Sequence, residues 1–263
     1  MEVIKEIIMK NAKLNWVRLP LKNIENCREL GGYHTKDGQQ TKWHSFLRSS
    51  DMSKIDREDI EFLTDYGVNT VIDLRRSDEI EKYKNPLADI DSVEYYNIPF
   101  ITEGIADITK SEVVLQDISL GDFYVKKLEN KQAIKEIFHT IYHAKDGCIV
   151  FHCQAGKDRT GILAMLLLGL AGVEKKDIIS NYEVTYTNLE SLHQGLHDYK
   201  NIPKHFLLSA REDILRAYEH IVDKFGNFND YLRSAGIEQE IIDGVKTRLI
   251  QDEPLLNRSH VYA

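Results

Sequence analysis

The amino-acid sequence predicts an α/β fold with a mostly parallel sheet flanked by helices and a helical C-terminal portion. Short β-branched or apolar runs alternate with helical patterns before Gly172, which is the order expected of parallel βαβ units. The apolar run CIVF at residues 148–151 leads through a tight turn into an apolar helical stretch. Beyond Gly172 the apolar residues follow mostly helical spacing.

Several short segments are strand candidates. Residues 45–48 could form a short strand, and residues 69–75 (NTVIDLR) are β-branched and end in polar residues. This pattern is typical of a buried parallel strand whose carboxyl end opens on a crevice. Residues 93–98 are a weaker candidate, and residues 148–151 are wholly apolar. The expected sheet therefore has four or five strands.

The helical patterns are bounded by residues that commonly start or end helices. The first ends at Gly67, and the second should bend near Asn130. The predicted helices are residues 56–66, 121–144, 160–170, 175–189, 210–225, 228–234 and 238–250. The connections at residues 101–120 and 188–209 are long enough to be lids over a crevice, with ordinary surface loops as the alternative.

Length and composition indicate a globular protein. The chain has 263 residues, of which 42% are hydrophobic and 29% charged, and we expect one domain spanning residues 1–263. The net charge of −8 and the pI of about 5.7 argue against a nucleic-acid binder, which would carry a basic face. Any anionic substrate must therefore be captured locally.

The three cysteines, Cys27, Cys148 and Cys153, have no framework spacing, so neither a disulfide scaffold nor a zinc site is expected. Cys27 and Cys148 are interpreted as inert core residues. This cysteine usage indicates a cytoplasmic protein. The charged opening segment does not resemble a signal peptide, and secretion stays open only if the natural chain begins with a leader.

No cofactor, metal or membrane span is expected. The most apolar stretch, residues 162–171, is about half the roughly 20 residues that cross a bilayer. The histidines of the C-terminal half that could suggest a metal site lack the carboxylate or cysteine spacing of a ligand set. They are His193, His197 and His205.

The stretch HCQAGKDRTG at residues 152–161 carries recognisable chemistry. Cys153 and Arg159 stand at the two ends of a tight loop between an apolar strand and an apolar helix. Consecutive backbone N–H groups can converge there on one phosphate, while the helix directs its positive end at the anion. The residues expected to bind phosphate are Gln154, Ala155, Gly156, Lys157, Asp158 and Arg159.

These residue types suit a two-step phosphate transfer. Arg159 can hold two phosphate oxygens with its planar fork, and Gly156 permits the close turn. The loop amides should stabilise the thiolate of Cys153, whose attack on a phosphomonoester gives a cysteinyl-phosphate that water hydrolyses. Thr160 could donate its hydroxyl to the departing sulfur, and His152 could hold the shape of the loop.

The chemical pattern has rivals. One alternative is that the Cys-x5-Arg pair occurs by chance and has no function. The position of the pair between a strand and a helix argues against this alternative. The nucleotide-loop pattern GxxxxGK[ST] is not satisfied, because Asp158 follows Lys157. A catalytically silent phosphate-binding or scaffold module is the alternative from a different class.

The stretch HCQAGKDRTG resembles the signature of protein tyrosine phosphatases. It is particularly similar to the atypical bacterial and fungal family with tyrosine, serine/threonine and phosphoinositide phosphatase activities. Three further blocks resemble that family, and they are NCRELGGY at 26–33, LRSSD at 47–51 and VIDLR at 71–75. The resemblance implies a phosphatase-type sheet and a broad-specificity enzyme acting on phosphorylated proteins or phosphoinositides. It does not cover the helical C-terminal part.

The arginines of these blocks, Arg28, Arg48 and Arg75, could line the crevice or form structural ion pairs. Lys157 resembles a lysine in the loop of dual-specificity lipid phosphatases, where it meets a second phosphate. It therefore indicates phosphoinositide substrates. The sequence does not predict the oligomeric state.

The general acid is assigned to Asp158. The resemblance implies an aspartate after a Pro-Phe strand end, but residues 99–103 read PFITE, so that aspartate is missing. Glu103 and Asp107 are nearby substitutes. Asp158 lies inside the loop, where its carboxyl could reach the leaving oxygen or the attacking water. The alternative is that Asp158 only braces Arg159 or Lys157 through an ion pair.

Overall fold

Five strands pair into one mixed sheet in a computed structural model that describes residues 12–101, 119–190 and 207–251. Their order across the sheet is β1-β2-β5-β3-β4, with β1 antiparallel to β2 and the other pairs parallel. The strands are β1 (Arg28–Glu29), β2 (Phe46–Ser49), β3 (Val68–Asp73), β4 (Glu94–Asn97) and β5 (Cys148–His152). The predicted α/β fold with a mostly parallel sheet is confirmed.

Helices lie between and after the strands. They are α1 (Arg57–Tyr66), α2 (Ser77–Lys82), α3 (Leu120–Lys127), α4 (Lys131–His143), α5 (Asp158–Leu170), α6 (Lys175–Glu183), α7 (Thr185–Asn188), α8 (Arg211–Phe225), α9 (Phe228–Ser234) and α10 (Gln239–Leu249). A 3₁₀ turn spans Pro86–Asp89. Among the described residues, no helix is both long and apolar enough to cross a membrane.

Local signals explain several helix ends. Gly67 ends α1 with a φ of 107°, a conformation that favours glycine. The side chain of Asn130 accepts a hydrogen bond from the backbone N–H of Ala133, which starts α4 and makes the predicted bend. The short helix α2 has no buried residue, so it lacks the apolar spacing from which a helix can be predicted. The helix α5 begins at Asp158, two residues before its predicted start.

The central strand β5 contributes to two apolar clusters, one on each face of the sheet. Ile149 and Phe151 belong to the cluster that also contains the apolar residues of α3–α6 and α8–α10. Cys148 and Val150 belong to the cluster with α1 and the N-terminal segment. This alternation is the period of two expected of a strand buried on both faces. The helical C-terminal portion thus packs on one side of the sheet.

Register brings the carboxyl ends of four parallel strands together. Ser49 of β2 lies opposite His152 of β5, His152 lies opposite Asp73 of β3, and Asp73 lies opposite Asn97 of β4. The segments that follow these residues therefore leave the sheet at one edge. In parallel α/β sheets this edge is where ligands bind.

The short strand β1 carries a buried carboxyl. Glu29 is 3% exposed, and its oxygens accept hydrogen bonds from the Tyr66 hydroxyl, the His44 backbone N–H and the Gly31 backbone N–H. Burial raises the pKa of Glu29 from 4.5 to about 7, and these donors only partly offset it. The carboxyl therefore links β1 to α1 at an electrostatic cost.

This cost predicts a pH dependence of stability. An unfolded chain should release the Glu29 proton near pH 4.5, whereas the folded chain retains it up to about pH 7. Because the folded state binds more protons between these values, the free energy of unfolding should decrease as the pH rises through this window, then level off. The upper limit of the loss is about 3 kcal/mol.

Because a glutamine at position 29 cannot titrate, Glu29→Gln should not show this decrease in the free energy of unfolding with pH. Urea unfolding at several pH values measures the slope. The matched variant Glu136→Gln removes an exposed carboxyl on α4 and should keep it. Identical slopes in wild type and Glu29→Gln would show that this carboxyl does not cause the pH dependence.

Candidate active site

The candidate site is the loop that joins β5 to α5. The Cys153 side chain lies at its start and is 2% exposed, and the Thr160 hydroxyl donates to its sulfur across 3.1 Å. The helix α5 begins at the end of the loop, so its unpaired N–H groups face the loop. The structure thus brings together a thiol, a hydroxyl donor and a helix N-terminus.

The carbonyl groups of the loop are held by donors outside it. The backbone N–H of Asp51 donates to Gln154 O across 2.8 Å. The side-chain amide of Asn26 donates to Ala155 O and Gly156 O, each across 3.1 Å. In a trans peptide the C=O and the following N–H point in opposite directions. With the carbonyls held outward, the following N–H groups are directed inward, where they can bind an anion.

The close approach of the loop to β2 requires glycine at position 156. Gly156 has a φ of 67°, and a Cβ atom there would lie 2.3 Å from Ser49 O. Both the backbone conformation and the space exclude a side chain. The role predicted for Gly156 in the turn agrees with this geometry.

His152 braces the start of the loop from within the core. It is fully buried, its Nδ1 lies 3.1 Å from Cys153 O, and its Nε2 lies 3.0 Å from the amide nitrogen of Asn85. Burial lowers the pKa of His152, which favours the neutral ring. A proton on Nδ1 donates to the Cys153 carbonyl, while Nε2 accepts from Asn85.

Arg159 is held by a carboxylate that the motifs did not indicate. Its Nη1 and Nη2 donate to the two oxygens of Glu79 across 2.8 and 2.9 Å, and Nη1 also donates to Leu74 O. Burial opposes the charge of Arg159, but the Cys153 sulfur and Glu79 outweigh it and raise the pKa of Arg159. Within the described residues the Nε–H and the second Nη2–H have no hydrogen-bond acceptor, so they can donate to two phosphate oxygens.

Asp158 is attached to the helices behind the loop. Its Oδ1 accepts a short hydrogen bond from the Tyr124 hydroxyl and lies 3.4 Å from Lys157 Nζ. The Tyr124 hydroxyl also lies 2.7 Å from that of Tyr182. The predicted bracing contact between Asp158 and Lys157 is thus present. About a third of the Asp158 side chain is exposed, so the carboxyl is both fixed and accessible.

Lys157 is buried beside the loop, not extended from it. Its side chain is 4% exposed, and Nζ donates to Leu208 O across 3.0 Å. A second phosphate on a substrate would have to compete with these contacts.

The three arginines of the motif blocks behave differently. Arg75 is fully buried and forms ion pairs with Asp73 and Asp51. Of the two predicted roles, lining the crevice or forming a structural ion pair, Arg75 has the second. Arg28 and Arg48 are also buried, but both donate to oxygens of backbone and neutral side chains. They lie behind the loop and do not line an open crevice.

Several predictions lie outside the described residues. They concern the substitute acids Glu103 and Asp107, residues 102–118 and 191–206 of the proposed lids, and the histidines His193, His197 and His205.

Residues that sequence reasoning missed support the loop from other elements. Glu79 follows VIDLR by four residues at the start of α2, and its position after a motif block is the one available signal. The others come from segments without any motif. They are Asn85, Tyr124, Asn181 and Tyr182.

The chain is similar to known phosphatases. The family model described as "Tyrosine phosphatase family" matches residues 19–251. A tyrosine-protein phosphatase of Nostoc commune is 33% identical over 220 residues, covering 79% of this chain and 74% of that protein. The triple specificity protein phosphatase PtpB of Mycobacterium tuberculosis is 23% identical over 250 residues, covering 78% of this chain and 90% of that protein.

Among solved structures, P. aeruginosa TpbA in complex with pTyr aligns over 80% of this chain and 88% of that chain, with 14% identity and a TM-score of 0.30. This structural likeness is too low to support an argument about the site. The family model alone spans most of the sequence, and a curated relative exceeds 30% identity. The chain therefore belongs to the tyrosine phosphatase family, and the prediction of a phosphatase enzyme is confirmed.

Proposed function

We propose that this chain hydrolyses phosphotyrosine in proteins through a cysteinyl-phosphate formed on Cys153. The observation that carries the proposal is the loop geometry: carbonyls held outward by Asn26 and Asp51, with the Cys153 sulfur at one end and Arg159 at the other. Inward N–H groups and one edge of the Arg159 guanidinium then bind the phosphoryl oxygens. Similarity to a tyrosine-protein phosphatase and to a triple specificity protein phosphatase supports the substrate class.

In the first step the Cys153 thiolate attacks phosphorus, an S–P bond forms, and the bond from phosphorus to the phenolic oxygen breaks. The loop amides and Arg159 stabilise the charge on the transferring phosphoryl group. Glu79 holds Arg159 by two hydrogen bonds, so the guanidinium is oriented before substrate binds. This pre-orientation reduces the entropy cost of reaching the transition state.

Asp158 supplies the proton to the leaving oxygen. Tyr124 and Lys157 both engage Oδ1, whereas Oδ2 has no hydrogen bond to the residues that the structure describes and can serve the substrate. The bracing role and the acid role therefore use different oxygens of one carboxyl. The ionised carboxylate then takes a proton from the attacking water in the second step.

In the second step water attacks phosphorus, the S–P bond breaks, and inorganic phosphate forms. The Thr160 hydroxyl, 3.1 Å from the sulfur, donates to the thiolate as it leaves.

The scaffold alternative is separated from the enzyme by one assay. Vanadate-sensitive release of phosphate from a chromogenic aryl phosphate supports turnover. Stoichiometric phosphate binding without release would favour the silent module.

Substrate range is the finer part of the proposal. We infer that phosphoserine and phosphothreonine are also accepted, as the family resemblance implies, and that phosphoinositides are accepted because Lys157 places a cation beside the loop. Its contact with Leu208 O must open for Lys157 to meet a second phosphate.

Replacement of the nucleophile should separate binding from turnover. Cys153→Ser should leave less than about 1% of wild-type activity, since an alcohol does not ionise at neutral pH, while a phosphotyrosine peptide still binds in calorimetry. The control Cys148→Ala changes a buried cysteine of β5 and should retain turnover. Substantial activity of Cys153→Ser would rule out this nucleophile.

Replacement of the acid should depend on the leaving group. A poor leaving group needs protonation, so Asp158→Asn should lower kcat/KM on alkyl phosphates by on the order of 10²-fold, and much less on activated aryl phosphates. The control Asp65→Asn lies on the exposed side of α1 and should change neither. The assignment is wrong if Asp158→Asn slows both substrates equally and Glu103→Gln or Asp107→Asn gives the selective loss.

Replacement of the loop lysine tests the substrate range. Lys157→Ala should lower kcat/KM for phosphoinositides about tenfold more than for phosphotyrosine peptides, the size expected for one charged hydrogen bond. Lys135→Ala on α4 is the matched control, since it removes a lysine remote from the loop. Equal losses on both substrates would limit Lys157 to a structural role.

A further inference from the structure

Arg48 of β2 lies buried directly behind the phosphate loop. Its exposure is 0%, its Nη2 donates to Gly156 O across 2.8 Å, and its Nη1 donates to Asn181 Oδ1 across 2.6 Å. Arg48 is therefore a further group that holds a loop carbonyl outward, and it connects the loop to α6.

A second guanidinium shares this site. Arg28 of β1 is 3% exposed, and its Nη2 donates to Asn181 O across 2.7 Å and to Thr185 Oγ1 across 2.8 Å. Its Nη1 donates to Asn26 O across 3.0 Å and to the Asn26 side chain. The neutral residue Asn181 thus accepts from both arginines, through its side chain and its backbone carbonyl.

Neither guanidinium has an anionic partner in the described parts of the chain. No ion pair joins Arg28 or Arg48 to an aspartate or glutamate there, and the Nε atoms of both are buried without a hydrogen-bond partner. Arg75, which is equally buried, has Asp73 and Asp51. Since an unpaired buried charge is strongly destabilising, another group is expected to balance this pair.

Of the titratable groups that interact with the two arginines, Cys153 is the candidate anion. These groups are Tyr33 before β2, Cys27 beside β1, Tyr124 of α3, Tyr182 of α6 and Cys153. Burial raises the pKa of Tyr124 and Tyr182, and burial raises that of Cys27 to about 12. Tyrosine hydroxyls in general ionise only near pH 10.

Other charged groups also lie around the loop. Arg159 is paired with Glu79 and interacts with the charge of Cys153 as well. Lys157 pairs with Asp158, and burial lowers the pKa of His152, which favours the neutral ring. Burial lowers the pKa of Arg48 to about 10, and the charge of Cys153 acts in the opposite direction. The thiolate and Arg48 therefore stabilise each other's charged forms.

We propose that Arg48, backed by Arg28, is a positioning residue whose uncompensated charge stabilises the thiolate of Cys153 while its Nη2 holds the Gly156 carbonyl outward. The inference rests on the proposed role of Cys153 as the nucleophile. Asn181 is the neutral spacer of this arrangement, because a carboxylate at that position would supply the missing counter-ion and cancel the effect.

The substitution Asn181→Asp tests the charge alone. Aspartate has nearly the same shape, its oxygen can still accept from Arg48, and its backbone carbonyl can still accept from Arg28. The Tyr33 hydroxyl, which accepts from Asn181 Nδ2 across 3.0 Å, can rotate to donate instead. The pH dependence of Cys153 alkylation by iodoacetamide, followed by mass spectrometry, reports thiolate formation directly.

In Asn181→Asp the alkylation midpoint should rise by about one pH unit, which is about tenfold less thiolate below the midpoint. Asn229→Asp on α9 makes the same change in net charge away from the loop and should leave the midpoint unchanged. A folded Asn181→Asp with the wild-type midpoint would overturn the proposal, since a merely structural Asn181 predicts that result.

If Asn181→Asp does not fold, two variants of Arg48 test whether its charge stabilises the Cys153 thiolate. Arg48→Lys keeps the charge but loses the two-point contact, so it should keep the midpoint and lower kcat. Arg48→Met should raise the midpoint by at least about one unit. Equal midpoints for the two would overturn the proposal. Alkylation needs no turnover, so an inactive wild type with the expected shifts would refute the proposed function while still showing that Arg48 stabilises the Cys153 thiolate.

Discussion

The orientation of a few peptide groups in the β5–α5 loop is the constraint on which the site depends. Backbone carbonyls repel an anion, so a loop that binds phosphate must turn them away and hold them there. Asp51, Asn26 and Arg48 do this from β1, β2 and their connections, and His152 does so at the start of the loop. The antiparallel edge of the sheet is therefore part of the proposed phosphate site.

The charges around the loop are arranged so that each cation has a different task. Glu79 pairs with Arg159 and orients it, while Asp73 and Asp51 pair with Arg75 and fix the ends of the strands. Arg48 has no such carboxylate in the described residues, and the acidic groups that interact electrostatically with it are a thiol and phenols. A buried arginine that is paired with a carboxylate thus fixes the structure around it. A buried arginine without such a partner supplies positive potential instead.

The sequence predicts the position of the loop because Cys153, Gly156 and Arg159 lie within one turn between an apolar strand and an apolar helix. The parallel strands follow from β-branched runs for the same reason. The strand β1 is two residues long and polar, so only pairing with β2 defines it. Tyr124 contacts Asp158 and Asn181 contacts Arg48, both from helices without any motif. Residue spacing in a single sequence does not indicate such long-range contacts.

The central claim is that phosphate passes through Cys153 while the loop amides hold it. The most direct measurement is acid quenching of a reaction with ³²P-labelled phosphotyrosine peptide, followed by mapping of the labelled peptide. The account predicts label on the peptide that contains Cys153, formed and lost at rates consistent with turnover. Turnover at full rate with no label on the protein, or with label on another residue, would contradict it.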